Sequence, residues 1–590
     1  MKIKKVLLPT IVIFILIIST FLVACVFNHK HNIVIDEAVS PTCTKNGLTE
    51  GSHCSKCDEI LTKQEIVSAT GHSFVNDICE FCGEAEHSNQ SLDYVINDDG
   101  ITCYISGIGT CSDLDIIIPE YIDGYKVTGI GNDAFHRKDN LTSIVIPNGV
   151  TSIGDDAFYW CRNLKSISIP DSVTYIGRSA FCGCNSLTNI TIPDKVNSIG
   201  EWAFYGCTNL KNIVIPDIVT SIGDYMFYNC SSLMNITIPD SVTNIGYSAF
   251  YGCSSFTSIV IPDSVISIDD SAFSSCKNLE SIIAEEGNTV YHSTENCLIE
   301  TTSRTLVQGC KNSTIPTDGS VTNIGGFAFS GCNSITNIVI PDTITSIGWG
   351  AFEECINLTD IFIPNSVTDI SDLVFSGCNS LESIIVEKGN PIYHSTENCV
   401  IRTANKTLTV GCKNSVIPND GSVTRIGRNA FYNCDALTSI VIPDCITSIG
   451  DAAFYYCDGL TSIVIPDSVT EIDMDAFGCC PNLINVIIPN SITKISSGAF
   501  NNSHLTSIVI PNSVTIIEEY AFSHSYNLTS IVIPDSVTNI GDGILWYCSS
   551  LVNIDFKGTK AQWNAISKGS DWDGYTGNYT VHCTDGDIVK

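Results

Sequence analysis

A 23-residue phrase recurs along most of this chain and limits its fold more than any other feature. One copy contains, in order, Leu141, Ile144, Ile146, Pro147, Val150, Ile153, Gly154, Ala157, Phe158 and Cys161. The phenylalanine marks each further copy at Phe181, Phe204, Phe227, Phe250, Phe273, Phe329, Phe352, Phe375, Phe431, Phe454, Phe477, Phe500 and, one residue early, Phe522. A fixed period of about 20–29 residues indicates a solenoid in which each repeat contacts only its neighbours.

The first part of each repeat has the pattern of a strand. Ile144 and Ile146 alternate with Ser143 and Val145, so the isoleucines should face the core and the other two should face solvent. Pro147 ends the strand because proline has no N–H to donate. Stacked copies are expected to pair in parallel, about 4.8 Å apart, as one long sheet on one face of the solenoid.

The second part of each repeat predicts a short helical turn. Position 154 is glycine in most copies and aspartate or serine in several others, and these residues favour helix N-caps. Ala157 and Phe158 would then lie on the buried side of the turn. Cysteine recurs three residues after phenylalanine, at Cys161, Cys184, Cys207, Cys230, Cys253, Cys276, Cys332, Cys355, Cys378, Cys434, Cys457 and Cys548. We interpret these cysteines as a buried ladder of small apolar side chains, since no charged residue stands at a fixed spacing to lower their pKa.

Two insertions interrupt the repeat, near residues 285–320 and 387–422, and their sequences are nearly identical. The segment from Cys297 to Cys310 predicts a β-hairpin, in which the two cysteines form a disulfide or pack as thiols. Because the insertion occurs twice, we interpret it as a longer repeat variant. The pairs Tyr291/His292 and Tyr393/His394 are its most distinctive candidates for exposed residues.

Residues 1–25 carry a targeting signal, with a basic start followed by an apolar stretch. The ending Leu22-Val-Ala-Cys25 resembles a bacterial lipobox, which would make Cys25 the lipidated first residue of the mature chain. An uncleaved membrane anchor is the alternative, because the apolar stretch nearly reaches the ~20 residues that span a bilayer. Both interpretations place the rest of the chain outside the cytoplasm, at the cell surface or secreted.

Residues 26–90 form a small cysteine-rich module. The pairs Cys54/Cys57 and Cys79/Cys82 have a spacing close to that of a four-thiolate zinc site. Disulfides, or thiols kept reduced, are the alternatives. No other cofactor is expected. The further boundaries are 91–136 for an N-terminal cap of the solenoid, 137–556 for the repeats and 557–590 for a C-terminal cap.

The phrase L-x-x-I-x-I-P-x-x-V-x-x-I-G-x-x-A-F-x-x-C closely resembles the BspA-like leucine-rich repeats of bacterial and some protozoan surface proteins. The resemblance implies an α/β, β-rich leucine-rich-repeat solenoid with a long parallel sheet. It also implies a role as an adhesin or as a host- or matrix-binding protein.

The composition narrows the choice of partners. A formal net charge of −34 and a pI of about 4.4 argue against a nucleic-acid partner, because little positive charge is present to neutralise phosphates. The chain also has none of the common catalytic motifs, so we predict no enzymatic activity and no catalytic residues. The expected partner is an extracellular protein or glycan, and membrane contact is expected only through the N-terminal lipid or anchor. A passive surface spacer is the alternative function.

The candidate binding surface is the outward side of the predicted strands. Its residues are Ser143, Val145, Ser166, Ser168, Asn189, Thr191, Asn212, Val214, Asn235, Thr237, Ser258 and Val260. A second candidate is a row of aspartates after the proline, which is predicted to attract Ca²⁺: Asp171, Asp194, Asp217, Asp240 and Asp263.

Overall fold

A computed structural model describes residues 33–40, 47–55, 60–67, 74–75, 78–79 and 92–590. The chain divides into two compact units, residues 1–90 and 91–590. The described strands of the first unit are Ile33–Asp36, Gly47–Leu48, Gly51–Cys54, Ile60–Thr62, Ile66–Val67, Phe74–Val75 and Ile78–Cys79. They pair antiparallel in small sheets of two or three strands.

The second unit is a β-solenoid, which confirms the predicted fold class. Each turn has three segments, which we define on the copy that contains Phe158. The first ladder contains Ser143–Val145, the second ladder contains Ser152–Ile153, and the phenylalanine segment covers residues 155–161. Strands pair in parallel with their equivalents one turn away, for example Ile144 with Ile167 and Ile153 with Ile176. The sequence predicted only the first of these ladders.

The first ladder contains the longer strands. They are Asp115–Ile117, Ser143–Val145, Ser166–Ser168, Ser258–Ile261, Ser281–Ala284, Asn337–Val339, Asp360–Ile363, Ser383–Val386, Ser462–Val464, Asn485–Ile487, Ser507–Val509, Ser530–Ile533, Asn553–Phe556 and Thr580–Cys583. Ile144 and Ile146 are buried, as predicted from their alternation with outward residues.

The second ladder consists mostly of two-residue strands. They are Thr102–Gly107, Tyr125–Ile130, Ser152–Ile153, Tyr175–Ile176, Ser198–Ile199, Ser221–Ile222, Asn244–Ile245, Ser267–Ile268, Thr305–Gln308, Asn323–Ile324, Ser346–Ile347, Asp369–Ile370, Thr407–Val410, Arg425–Ile426, Ser448–Ile449, Glu471–Ile472, Lys494–Ile495, Ile516–Ile517, Asn539–Ile540 and Ser567–Lys568. At the N-terminal end, Asp93–Ile96 and Tyr121–Ile122 add antiparallel strands.

The predicted helical turn is wrong: in the described repeats the phenylalanine segment has no α-helix. Asp156 and Trp160, on either side of Phe158, have φ angles of 53° and 57°, in the left-handed region. Their N–H groups, and that of Phe158, donate to carbonyls of the next turn at 2.6–2.8 Å. The backbone of this segment therefore bonds between turns, and the left-handed residues prevent a continuous helix.

The recurrent glycine is not a helix cap, which corrects the second half of that prediction. A Cβ at Gly154 would lie 2.7 Å from the backbone of Gly131 and of Asn132 in the preceding turn. The N–H of Gly154 donates to Ile130, at 2.8 Å. At Gly154 the consecutive turns approach each other too closely for a side chain. Copies with Asp269 or Ser371 at this place make the same backbone bond, at 2.9 and 3.0 Å, so glycine is preferred here and not required.

The core is built from two stacked columns. The ring of Phe158 lies parallel to those of Phe135 and Phe181, with centroids 5.2 and 5.4 Å apart. Most of the recurrent cysteines are buried beside this column, as predicted, and their thiols donate to phenylalanine carbonyls of the preceding turn. Cys434 is only partly buried, and Cys332 donates to the carbonyl of Gly309. Burial raises the pKa of Cys161 to about 12, so its thiol is protonated and unreactive at neutral pH. Cys480, which the sequence analysis omitted, belongs to the same ladder.

Each insertion adds a turn without a phenylalanine. Strands Tyr291–Thr294 and Cys297–Glu300 form an antiparallel hairpin, and Cys297–Glu300 pairs again with Thr305–Gln308, which confirms the predicted hairpin. The second insertion repeats this with Tyr393–Thr396, Cys399–Arg402 and Thr407–Val410. Cys297 and Cys310 are both free thiols and both buried.

Glycine replaces phenylalanine in the insertion turns. The N–H of Gly309 donates to Ala328 at 2.7 Å, the bond that phenylalanine makes in ordinary turns. The ring of Phe329 occupies the space that a side chain at Gly309 would need. The two insertions therefore interrupt the phenylalanine column. The turns on either side of each insertion also bond directly, with the N–H of Ser275 donating to Ser330 at 2.9 Å and that of Gly377 to Asn433 at 3.1 Å.

The expected exposure of the insertion tyrosines is wrong. Tyr291 is only 4% exposed, and its hydroxyl accepts a hydrogen bond from the N–H of Ile268 at 2.9 Å. Tyr393 is buried in the same way and also accepts a hydrogen bond from Arg402. These tyrosines close the gap between two turns and are not available to a ligand. His292 is half-buried, and its Nδ1 lies 2.9 Å from the hydroxyl of Thr301.

The C-terminal segment closes the solenoid with a helix and strands. The helix Lys560–Ala565 begins at Thr559, which forms a capping box with Gln562. Trp563 and Ile566 are buried. The final strand Gly586–Val589 pairs antiparallel with Thr580–Cys583 and covers the end of the first ladder.

Candidate ligand-binding surface

The outward side of the first ladder is a regular surface. Parallel pairing in register places Ser143 beside Ser166 and Val145 beside Ser168. Each turn thus contributes one residue to each of two columns along the solenoid. The predicted surface residues of the first six copies are all exposed or half-buried, and Val214 is 75% exposed.

Polar residues dominate the first of these columns at its N-terminal end. The carboxylate of Asp115 accepts hydrogen bonds from the hydroxyls of Ser143 and Thr142, at 2.6 and 2.5 Å. These bonds, the one from Ser143 first, hold the pKa of Asp115 below its usual value. Hydroxyl groups here are therefore already paired within the surface, and the carboxylate stays charged.

The second column becomes apolar in the later turns, a feature that the sequence analysis did not include. We call it the apolar column. Its exposed members are Val214, Val260, Ile283, Val339, Phe362, Ile385, Val416, Val441, Val464, Ile487 and Val509. Val339 and Val441 are 75% and 80% exposed. The signal was present in the sequence, because these residues occupy the place of Val145 in later copies.

The apolar column passes a recess at the first insertion. The hairpin loop at Glu295 lies against the next chain segment, where the N–H of Thr314 donates to the carbonyl of Glu295 at 3.2 Å. The hydroxyl of Thr314 donates to the carboxylate of the same glutamate, at 3.1 Å. The recess has a volume of about 530 Å³, and Val339 and Asp318 also line it. A protruding side chain of a ligand could enter the surface here.

The predicted calcium row consists of exposed side chains. Asp171, Asp194, Asp217, Asp240 and Asp263 all lie at the surface. Within the described part of the chain, no three His, Cys, Asp or Glu side chains are grouped in a way that could hold a metal ion. Calcium binding by this row stays a prediction.

The remaining predicted sites lie outside the described residues. Cys25 and the zinc candidates Cys57 and Cys82 are among them, and only the backbone is described at Cys54 and Cys79. Lipidation and zinc binding therefore stay predictions. No helix in the described part of the chain is both long and apolar enough to cross a membrane.

Parallel ladders, an isoleucine-lined core and a bare outer sheet surface together define a leucine-rich-repeat solenoid. The family model of the BspA type leucine rich repeat region matches residues 128–253, 203–307, 300–421 and 424–557. The chain therefore belongs to the BspA-type leucine-rich-repeat family. No curated protein sequence matches it.

Solved structures of bacterial leucine-rich-repeat proteins are similar to this chain. A leucine-rich cell surface protein from Faecalibacterium prausnitzii is 26% identical over 81% of this chain and 96% of its own, with a TM-score of 0.32. A protein from Bacteroides ovatus is 26% identical over 83% of this chain and 98% of its own, with a TM-score of 0.39. A third, from Eubacterium ventriosum, is 24% identical over 70% of this chain and 94% of its own, with a TM-score of 0.37.

Proposed function

We propose that this protein is a non-enzymatic binding protein that is held outside the cytoplasm by a lipid on Cys25 and binds a protein ligand with the outer surface of its first ladder. The apolar column is the observation that supports this function. Large apolar side chains stand at one place in most of the turns from Val214 to Val509, interrupted by Thr237 and Thr314, and exposed apolar strips of this kind mark interaction sites.

The form of the surface favours a protein ligand. Branched aliphatic side chains such as Val339, Val441 and Val464 offer little to the hydroxyl groups of a sugar but pack well against apolar side chains. Exposed polar residues of the first column beside it, such as Asn337, Asp360 and Ser462, supply a polar rim. The net charge of −34 favours a ligand with a neutral or basic contact surface.

The test is capture of ligands from host extracellular matrix, mucin and neighbouring cells by the full-length chain. The triple variant Val339→Glu, Val441→Glu and Val464→Glu places charges in the column at positions 61–80% exposed, where single substitutions usually change stability by no more than about 0.5 kcal/mol. The matched control is Ile218→Glu, Ile266→Glu and Ile516→Glu, which adds the same charge at exposed residues outside the column.

The triple variant should lose the captured proteins and the control variant should keep them. Equal capture by both variants would exclude the first ladder as the binding surface. Failure of the unaltered protein to capture any ligand would favour the alternative role of a passive spacer.

A further inference from the structure

A second surface, on the phenylalanine segments, carries a column of stacked tyrosines. These tyrosines directly follow the core phenylalanines. Tyr228 lies between Tyr205 and Tyr251, with ring centroids 4.7 Å from each and nearly parallel planes. The column appears again at Tyr432 and Tyr455, with centroids 5.6 Å apart. Where these tyrosines are present, their stacked rings cover this side of the solenoid.

The tyrosine column stops after Tyr455. The next three turns have Gly478, Asn501 and Ser523 at this place, and a large aromatic side chain returns only at Trp546. The small residues leave an open cleft with a volume of about 570 Å³. This volume is within the range of about 300–1,000 Å³ that is usual for sites of small ligands.

One wall of the cleft is polar and is held in place by hydrogen bonds. The side-chain amide of Asn501 donates to the carboxylate of Asp475 at 2.9 Å, and its oxygen accepts from the N–H of Cys479 at 3.2 Å. Gly498 lies beneath them with a φ of 59°, and any side chain there would clash with Asp475. Asn502 is exposed at the edge of this wall, and its amide nitrogen donates to the sulfur of Cys479 at 3.8 Å. A braced carboxylate and two amides therefore face the cleft.

The opposite wall is aromatic. The rings of Tyr520 and His524 lie 6.2 and 5.5 Å from the ring of Trp546, and all three line the cleft. Tyr520 is 42% exposed and Trp546 is half-buried. Gly543, with a φ of 57°, leaves room for Tyr520, because a Cβ there would lie 2.7 Å from its ring. The wall offers flat apolar surface together with ring N–H and O–H groups.

The two walls match the chemistry of a sugar. A pyranose ring has apolar C–H faces that pack on aromatic rings, and adjacent hydroxyls that donate to carboxylates and accept from amides. Among the described residues that line the cleft, none is lysine or arginine. An anionic ligand would therefore meet Asp475 without any compensating positive charge.

We propose that this cleft binds a neutral oligosaccharide. The sugar stacks on Trp546 and Tyr520 and forms hydrogen bonds to Asp475, Asn501 and Asn502. The site is on a different segment of each turn from the apolar column, so it is independent of the protein ligand proposed above.

The experiment is isothermal titration calorimetry of the full-length chain with linear tetrasaccharides of glucose, mannose, galactose and N-acetylglucosamine. The variant Trp546→Ala removes the aromatic wall, and Asn502→Gly removes an exposed amide. Glycine at position 502 accepts the native φ of 48° without strain, so this second variant folds even if the first does not. The matched control is Trp202→Ala, which removes a tryptophan that stacks on Tyr225 in an N-terminal turn.

At least one tetrasaccharide should bind, with an affinity at least tenfold lower for Trp546→Ala and for Asn502→Gly and unchanged for Trp202→Ala. Absence of binding to every sugar would overturn the proposal, and so would binding that both cleft variants leave unchanged. Capture of a protein that Trp546→Ala abolishes, without binding of any sugar, would show that the cleft is a protein-binding site instead.

Discussion

The thiol of Cys161 donates a hydrogen bond to the carbonyl oxygen of Phe135, 3.0 Å away in the preceding turn. The same oxygen also accepts a hydrogen bond, at 3.2 Å, from the backbone N–H of Lys138, three residues later in the chain. The contact recurs between Cys184 and Phe158 and along most of the solenoid. The cysteines thus join neighbouring turns through their side chains while they fill the core.

The first prediction concerns the reactivity of these thiols. Burial raises the pKa of Cys161 to about 12, so iodoacetamide at pH 8 should not label it in the folded protein. Cys445 is partly exposed and should be labelled without unfolding. Mass spectrometry of the labelled peptides over a urea series measures both. Labelling of Cys161 in the native protein at the rate of Cys445 would contradict the buried ladder.

The second prediction concerns the left-handed residues of the phenylalanine segment. Ala452 has a φ of 49°, so Ala452→Gly should stabilise the protein by about 0.5–1 kcal/mol, as relief of left-handed strain exceeds the added chain entropy. Its neighbour Ala453 is fully buried and outside the left-handed region, and Ala453→Gly should destabilise by about 1–2 kcal/mol. Thermal unfolding of both variants measures the difference. If both substitutions changed the stability in the same direction, the left-handed backbone conformation of Ala452 would not be the cause.

The third prediction concerns the glycine that replaces phenylalanine in the first insertion. Gly309→Ala should lower the stability by about 1–3 kcal/mol, because the new methyl group overlaps the ring of Phe329. Gly326→Ala is the control, since its Cβ would make only an ordinary contact, 3.5 Å from Trp349. Urea denaturation followed by circular dichroism compares the two. Equal midpoints would mean that the insertion turn can move away from the ring.

The fourth prediction concerns the pH dependence of stability. Burial, and then the charge of Glu354, raise the pKa of Glu353 to about 7. The folded protein therefore holds a proton that the unfolded chain releases near pH 4.5, so this stabilising contribution is complete below pH 4.5 and is lost as the pH rises through 7. Glu353→Gln should raise the melting temperature at pH 8 and leave it unchanged at pH 4.

The control for Glu353 is Glu201→Gln, at an exposed carboxylate of another phenylalanine segment. Melting curves of the two variants at pH 4, 6 and 8 provide the measurement. If Glu201→Gln raised the melting temperature at pH 8 as much as Glu353→Gln does, the cause would be the change in net charge and not the burial of Glu353.

The sequence predicted those features that depend on one turn alone. Alternation placed Ile144 inward and Val145 outward, and the period predicted the buried column at Phe158 and Cys161. The helical turn was wrong because the phenylalanine segment bonds to the next turn. Its first left-handed position holds residues as different as Asp156 and Ala452, and its second is glycine or asparagine in several copies, such as Gly183 and Asn229, a preference that the sequence analysis did not use.

The candidate sites could be predicted only in part, for a related reason. The outward stripe follows from the alternation, and the apolar column follows once all copies are aligned at Val145. The cleft depends on three adjacent turns that lack a large aromatic residue at the place of Tyr455, followed by Trp546. No sequence motif marks such an absence. The cleft can be recognised only in the structure, where stacking places the three turns side by side.

The two insertion turns have a consequence for the length of the protein. Cys297 and Cys399 occupy the same place in matching hairpins, each between turns with the same ladder and core positions. Joining Cys297 directly to Val400 would remove three ordinary turns and one insertion turn. The core positions of the two turns at the new junction would still match, with isoleucine against isoleucine and cysteine beside phenylalanine. This protein can therefore be shortened or extended by whole turns, which changes its reach and the number of ligand-contacting turns while the core stays the same.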